Sequence, residues 1–223
     1  MFLRLVSRAV WVAVLVLALA ITAVKVMEHQ EAVQHPETVF LSPTECQNQH
    51  AVYRILVKND DELPPDHIPL DHKIRPSDMA AWPVPKGKFT QKTPRSGKEK
   101  EWWELTGRVV LAKAEEDGDI HLQLEDADGK GKVQVVVEVP VGQPWDEIRT
   151  EIFSWTTAKF PFKTASSHPL TLKVKPLVRV EGMAFLDAMH AVKDGPPNRR
   201  KDGITCVFEL HPIMTLEILK ENP

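Results

Sequence analysis

Asp117-Gly-Asp-Ile-His-Leu-Gln-Leu124, followed past Asp128-Gly129 by Val133-Gln-Val-Val-Val-Glu-Val139, is the stretch that decides the fold. Asp-Gly supplies the positive φ of a tight hairpin turn, and both runs alternate with a period of two. Ile120, Leu122 and Leu124 share one face, with His121 and Gln123 on the other. Val133, Val135, Val137 and Val139 oppose Gln134, Val136 and Glu138 in the same way. A strand over 102–114 precedes the first turn, so three strands follow one another as a meander. Pro140 ends the third, because proline has no N–H for a ladder.

Past this meander, Pro144 opens a helix with Asp146 and Glu147 in its first turn, where carboxylates suit the helix dipole. Trp145, Ile148, Ile152 and Trp155 fall on one stripe, the face expected to plug the barrel. A fourth strand, broken by Pro176, resumes over 177–185. A Gly/Pro-rich loop over 194–203 leads to a fifth strand at 204–211, and 213–219 reads as one more edge strand. The expected class is mainly β: a five- or six-stranded barrel over 101–223 with one helix between strands three and four.

That order is the order of an OB-type barrel, and the stretch 102–219 resembles the OB fold. More narrowly, it is similar to uncharacterised exported bacterial domains marked by D-G-D-x-H-L-x-L, E-V/I-P, F-x-D-x-x-H and E-L-H-P. Here those motifs read 117–124, Glu138-Val-Pro140, Phe185-Leu-Asp-Ala-Met-His190 and Glu209-Leu-His-Pro212. The resemblance covers about half the chain, implies an exported barrel, and brings no catalytic assignment. OB barrels serve as binding platforms far more often than as catalysts.

The N-terminus carries the address. Residues 9–24 are apolar except for Thr22, and the run extended over 5–27 is long enough, at about 1.5 Å per residue, to span a hydrocarbon core of about 30 Å. Arg4 and Arg8 precede it, which places the N-terminus inside and the rest outside the cytoplasm. Residues 1–27 thus read as a signal-anchor, with a signal peptide cleaved at Ala18-Leu-Ala20 as the alternative. The domain is expected to be membrane-anchored and periplasmic, or secreted if the helix is removed. In such a compartment Cys46 and Cys206 could form one disulfide; neither has the neighbouring ligands of a zinc site. Residues 28–62 read as a short helical segment, with Ser42-Pro-Thr-Glu45 as its start signal. Residues 63–100 read as a Pro-rich tether, extended and with little packing of its own, from which Trp82 is available to dock on the barrel.

Charge narrows the partners. The chain carries 28 Lys+Arg against 31 Asp+Glu, a net charge of -3. Residues 101–223 hold 15 of the former and 20 of the latter, so the acidic balance lies on the barrel. That is unsuited to gripping phosphates. The outward face of strands two and three also lacks the stacking aromatics and cations of a single-stranded nucleic-acid groove, leaving Arg199, Arg200 and Lys201 as loop contact candidates.

Strand parity places one polar constellation on the outward face. His121 and Glu138 share it, Glu209 and His211 join near the barrel's closure, and Asp187 and His190 lie at its edge. Two histidines among carboxylates suit a divalent metal such as zinc or manganese, with His121 and His211 as its ligands, or a general acid and base. The alternative is that alternating strands simply put polar residues toward solvent. No Gly-rich phosphate loop, G-x-S-x-G or H-E-x-x-H occurs. Three functions follow in order. The first is a membrane-anchored extracytoplasmic binding or assembly module with a protein or small-ligand partner and no cofactor. The second is a metal-dependent hydrolase of an ester or phosphodiester using the His/Glu cluster. The third is single-stranded nucleic-acid binding.

Overall fold

The computed structural model describes residues 53–129, 133–158, 167–191 and 204–220. A short helix α1 (Ile55–Lys58) is followed by a two-residue strand β1 (Lys73–Ile74) and helix α2 (Pro76–Ala80). Strands β2 (Trp102–Ala114), β3 (Ile120–Glu125) and β4 (Gln134–Val139) form the expected meander, and helix α3 (Asp146–Ser154) follows. A short strand β5 (His168–Leu170) leads to β6 (Leu177–Leu186) and β7 (Phe208–Lys220).

Five of these strands close a barrel in the circuit β2-β3-β4-β7-β6-β2. All neighbours are antiparallel except β4 and β7, which run parallel through Val136↔Glu209 and Val137↔Leu210. The circuit closes because β2 is long enough to change partners. Its first half pairs with β6 from Trp102↔Met183 to Arg108↔Leu177, and its second half with β3 from Arg108↔Glu125 to Ala114↔Ile120. The alternation seen in sequence fills the interior: Leu105, Val109, Ile120, Leu122, Leu124, Val135, Val137 and Leu210 are fully buried. Ile152 and Trp155 of the α3 region join that core.

Two sequence expectations are corrected. The fifth strand and the edge strand after it are one thirteen-residue strand, β7, which runs through Pro212. The proline is accommodated because the ladder with β6 shifts register there, passing from Gly182↔Ile213 to Ala184↔Leu210. A bulge at that point removes the need for the N–H that proline lacks. Gly182 is required for the same approach, since a Cβ there would stand 2.5 Å from the Pro212 carbonyl oxygen.

The Pro-rich stretch is neither extended throughout, since it contains α2 and short helical turns at Leu70–His72 and Gly97–Lys100, nor without packing. β1 pairs parallel with β2 through Lys73↔Glu104 and Ile74↔Leu105, and Ile68, Met79 and Trp82 are buried. Trp82 docks as expected, against Trp103 at 4.5 Å and Phe208 at 5.3 Å between ring centroids. Pro69 and Pro76, between Ile68 and Trp82, lower the entropy lost on ordering, so a segment without long elements can still be laid onto a barrel. No helix among the described residues is long and apolar enough to cross a membrane, and 1–27 lies outside them. Cys206 is buried with its thiol 3.5 Å from the Met79 carbonyl oxygen, whereas Cys46 and the triplet Arg199, Arg200 and Lys201 lie outside the described residues.

Candidate functional site

Cross-strand register brings the predicted polar residues together. His121 on β3 stands directly opposite Glu138 on β4. Glu209 lies beside Val136 where β7 joins β4, and His211, two residues on, shares its face. Phe185, opposite Glu209 on β6, places its ring 5.9 Å from that of His211. Glu138 is the hub. Its Oε1 accepts from His121 Nδ1 at 2.8 Å, and its Oε2 lies 2.8 Å from His211 Nδ1. His121 Nε2 faces the Gln123 amide at 3.4 Å, so the bond to Glu138 sets the Nδ1–H tautomer. Glu209 Oε1 adds a second carboxylate 3.3 Å from His211 Nδ1.

This face is not solvated, contrary to the usual expectation for polar residues on alternating strands. His211 is 0% exposed, His121 and Glu209 2%, and Glu138 7%. The cover is a strap over 53–62 that includes α1. Arg54 anchors it through a pair with Glu99 at 2.7 Å and a bond from Nε to the Thr93 carbonyl oxygen at 2.9 Å. Arg95 ties it again, donating to the carbonyl oxygens of Val57, Ala184 and His211. Lys58, the last residue of α1, then enters the polar cluster from above.

The turn between β2 and β3 closes the site from the side. Gly118 takes a positive φ of 92°, and the Asp119 N–H donates to Asp117 Oδ1 at 3.2 Å. The turn folds both carboxylates inward, leaving Asp117 3% and Asp119 1% exposed. Lys58 Nζ stands 3.6 Å from Asp117 Oδ2, 3.6 Å from Asp119 Oδ2 and 3.7 Å from Glu138 Oε2. Asp119 Oδ2 is also 3.2 Å from His211 Nε2, an ion pair between two buried side chains. Ligand atoms of Asp119, Glu138 and His211 lie within 4.8 Å of one another, as do those of Glu115, His121 and Glu138.

These neighbours set the protonation states. Burial alone would lower the Lys58 pKa, but the pull of Glu138, Asp117, Asp119 and Glu209 holds it well above its ordinary value. Burial would raise Glu138, yet Lys58, His121 and His211 bring it well below. Burial and Lys58 push His211 down, while the Asp119 and Glu138 carboxylates against its ring raise it to about 10. Burial, with repulsion from Asp119, lifts Asp117 to about 7.

The consequence is a definite pH dependence. His211, raised from 6.5, contributes stability that is full below pH 6.5 and lost as pH rises toward 10. Asp117, raised from 3.8, contributes stability that is lost as pH rises through 7. Glu138, lowered from 4.5, contributes stability that is present above pH 4.5 and lost on further acidification. The melting temperature should therefore peak in mild acid and fall by about 5 °C or more between pH 6 and pH 9, at roughly 2–4 °C per kcal/mol. Thermal melts across that range check this; a flat or rising profile would contradict the assigned charges.

Sequence reading found His121, Glu138, Glu209 and His211 and missed Lys58, Asp117 and Asp119. The two aspartates were legible only as turn residues, and nothing in the sequence marked Lys58. Asp187 and His190 form a pair of their own, Oδ2 to Nδ1 at 2.5 Å, just after β6. Comparison of the chain with protein-family models, with curated proteins and with solved structures returns no match.

Proposed function

We propose that this chain is a membrane-anchored, extracytoplasmic binding module on an OB-type barrel, and that the acidic pocket of β3, β4 and β7 takes a positively charged group. The OB-type reading is supported by the strand circuit, by the parallel pair β4–β7 and by the helix between the third and fourth barrel strands. In OB barrels the second and third strands and the loop before them carry ligands, and those are the elements that carry His121, Glu138, Asp117 and Asp119.

One observation carries the reading. Three buried carboxylates converge on the single ammonium of Lys58, each at 3.6–3.7 Å. That is beyond the 2.7–3.2 Å of a hydrogen bond, roughly. The chain's own lysine thus occupies the pocket by charge without filling it. In the full chain in detergent, Lys58→Ala should leave a hole that small primary amines refill. Butylamine is expected to raise the melting temperature of the variant by several degrees and that of wild type by little. Equal shifts in both proteins, or none in the variant, would count against a cation pocket.

Metal-dependent hydrolysis is the second reading, favoured by the two His/carboxylate groups whose ligand atoms lie within 4.8 Å. It requires the strap to leave, since a substrate must reach the cluster. An acidic pocket repels phosphate backbones, which makes single-stranded nucleic acid the weakest of the three.

A further inference from the structure

Two fully buried polar groups in this pocket face one another as an ion pair with no hydrogen bond of good geometry between them. His211 Nε2 and Asp119 Oδ2 are 3.2 Å apart, yet among the described residues neither atom has a hydrogen-bond partner, nor has Asp119 Oδ1. Buried polar atoms in that condition call for an ordered water or an ion. The separation also fits an ion. Two ligands on one tetrahedral metal, with bonds of roughly 2.0–2.2 Å, stand about 3.3 Å apart and need no hydrogen bond between them.

The far side of the ring agrees. His211 Nδ1 lies 2.8 Å from Glu138 Oε2, the arrangement in which a carboxylate fixes the tautomer and leaves Nε2 for a metal. Asp117 Oδ2 and Asp119 Oδ2 both stand 3.6 Å from Lys58 Nζ, so the two carboxylates address one point of positive charge.

We infer that this pocket is a divalent-cation site, with His211 Nε2 and the Asp119 carboxylate as ligands, Asp117 as a neighbouring negative charge and Glu138 as the positioning residue behind His211. This rests on the reading of the β3–β4–β7 face as a cation pocket and narrows the cation to a metal. An imidazole and a carboxylate suit zinc or manganese. The ion takes the place of the Lys58 ammonium, and any proton on His211 Nε2 leaves to solvent as the metal–nitrogen bond forms. Lys58 is therefore a competitor of the metal.

The test uses the full chain in detergent, purified without chelator or affinity histidines and titrated separately with manganese and zinc chloride. Bound metal is measured by elemental analysis, and by electron paramagnetic resonance for manganese. Wild type should take up one ion per chain. Asp119→Asn, which keeps the shape but removes the charge, should weaken binding at least about tenfold, and Glu138→Gln by roughly 10–100-fold, the range for an outer-shell partner. Lys58→Ala should tighten it about tenfold, in the direction of a removed competitor.

Wild-type affinity in a folded Asp119→Asn protein would overturn the ligand set. Failure of both folded wild type and folded Lys58→Ala to bind either ion would overturn the site. If Lys58→Ala does not fold alone, recovery of its circular dichroism on adding metal supports the inference. Lack of recovery, with no binding by wild type, overturns it. Butylamine rescue of Lys58→Ala without metal binding would leave the cation pocket standing and remove the metal. Loss of both would remove both.

Discussion

Glu138→Ala is expected to be the most damaging single change in the barrel, costing about 3–5 kcal/mol, the range for removing one partner of a buried ion pair. The reason is that Glu138 serves three partners at once. It accepts from His121, meets His211 Nδ1 and faces Lys58 Nζ. Truncation leaves an imidazole N–H without its acceptor and two buried cations short of a counter-charge. The cost is therefore electrostatic more than steric, because Glu138 is a strand residue whose removed carboxyl group leaves a small void. At roughly 2–4 °C per kcal/mol for a chain of this size, the melting temperature should fall by about 10 °C. Glu138→Gln keeps one acceptor oxygen and should lie between. Thermal or urea melts decide it: a loss under about 1 kcal/mol for Glu138→Ala would mean that the cluster is not a closed network of charges.

Glu99→Ala should cost a similar amount, about 3–5 kcal/mol, by the same logic applied to the strap. Arg54 and Glu99 are both fully buried and joined at 2.7 Å. Glu99 Oε1 also accepts from the Leu186 N–H at 2.9 Å, and Oε2 accepts from the Ser96 N–H at 3.2 Å. The guanidinium lies over the Phe185 ring at 5.0 Å, and among the described residues no other carboxylate pairs with it. Without Glu99 the cheapest relief is for Arg54 to return to water, which lifts the strap. This variant should therefore differ from Glu138→Ala in where it loosens. Hydrogen exchange should rise first in 53–62 and only later in β3 and β4. Uniform loss of protection across the barrel would show instead that strap and barrel unfold as one unit.

The barrel was legible because its residues obey a local rule. Period-two alternation in 120–125 and 134–139, bounded by Asp-Gly turns, gives the same answer at every position, and those strands formed within a residue or two of expectation. Pro212 misled because a proline ordinarily ends a strand, and the bulge that absorbs it depends on β6 lying alongside. The stretch 63–100 misled for a related reason. Its composition speaks against independent structure but says nothing about a surface waiting to receive it.

The candidate site divides along the same line. Parity alone put His121, Glu138, Glu209 and His211 on one face, because side-chain direction in a strand is set by position along the chain. Whether that face meets water is not a property of any strand. Residues from 53–62, more than fifty positions before β3, had to fold over it, and that contact buried the histidines and brought Lys58 among the carboxylates. Strand identity and facing are short-range consequences of backbone geometry, so the sequence determined them. Burial, charge state and the convergence of Asp117, Asp119 and Lys58 depend on pairs far apart in the chain, so only the tertiary structure decided them.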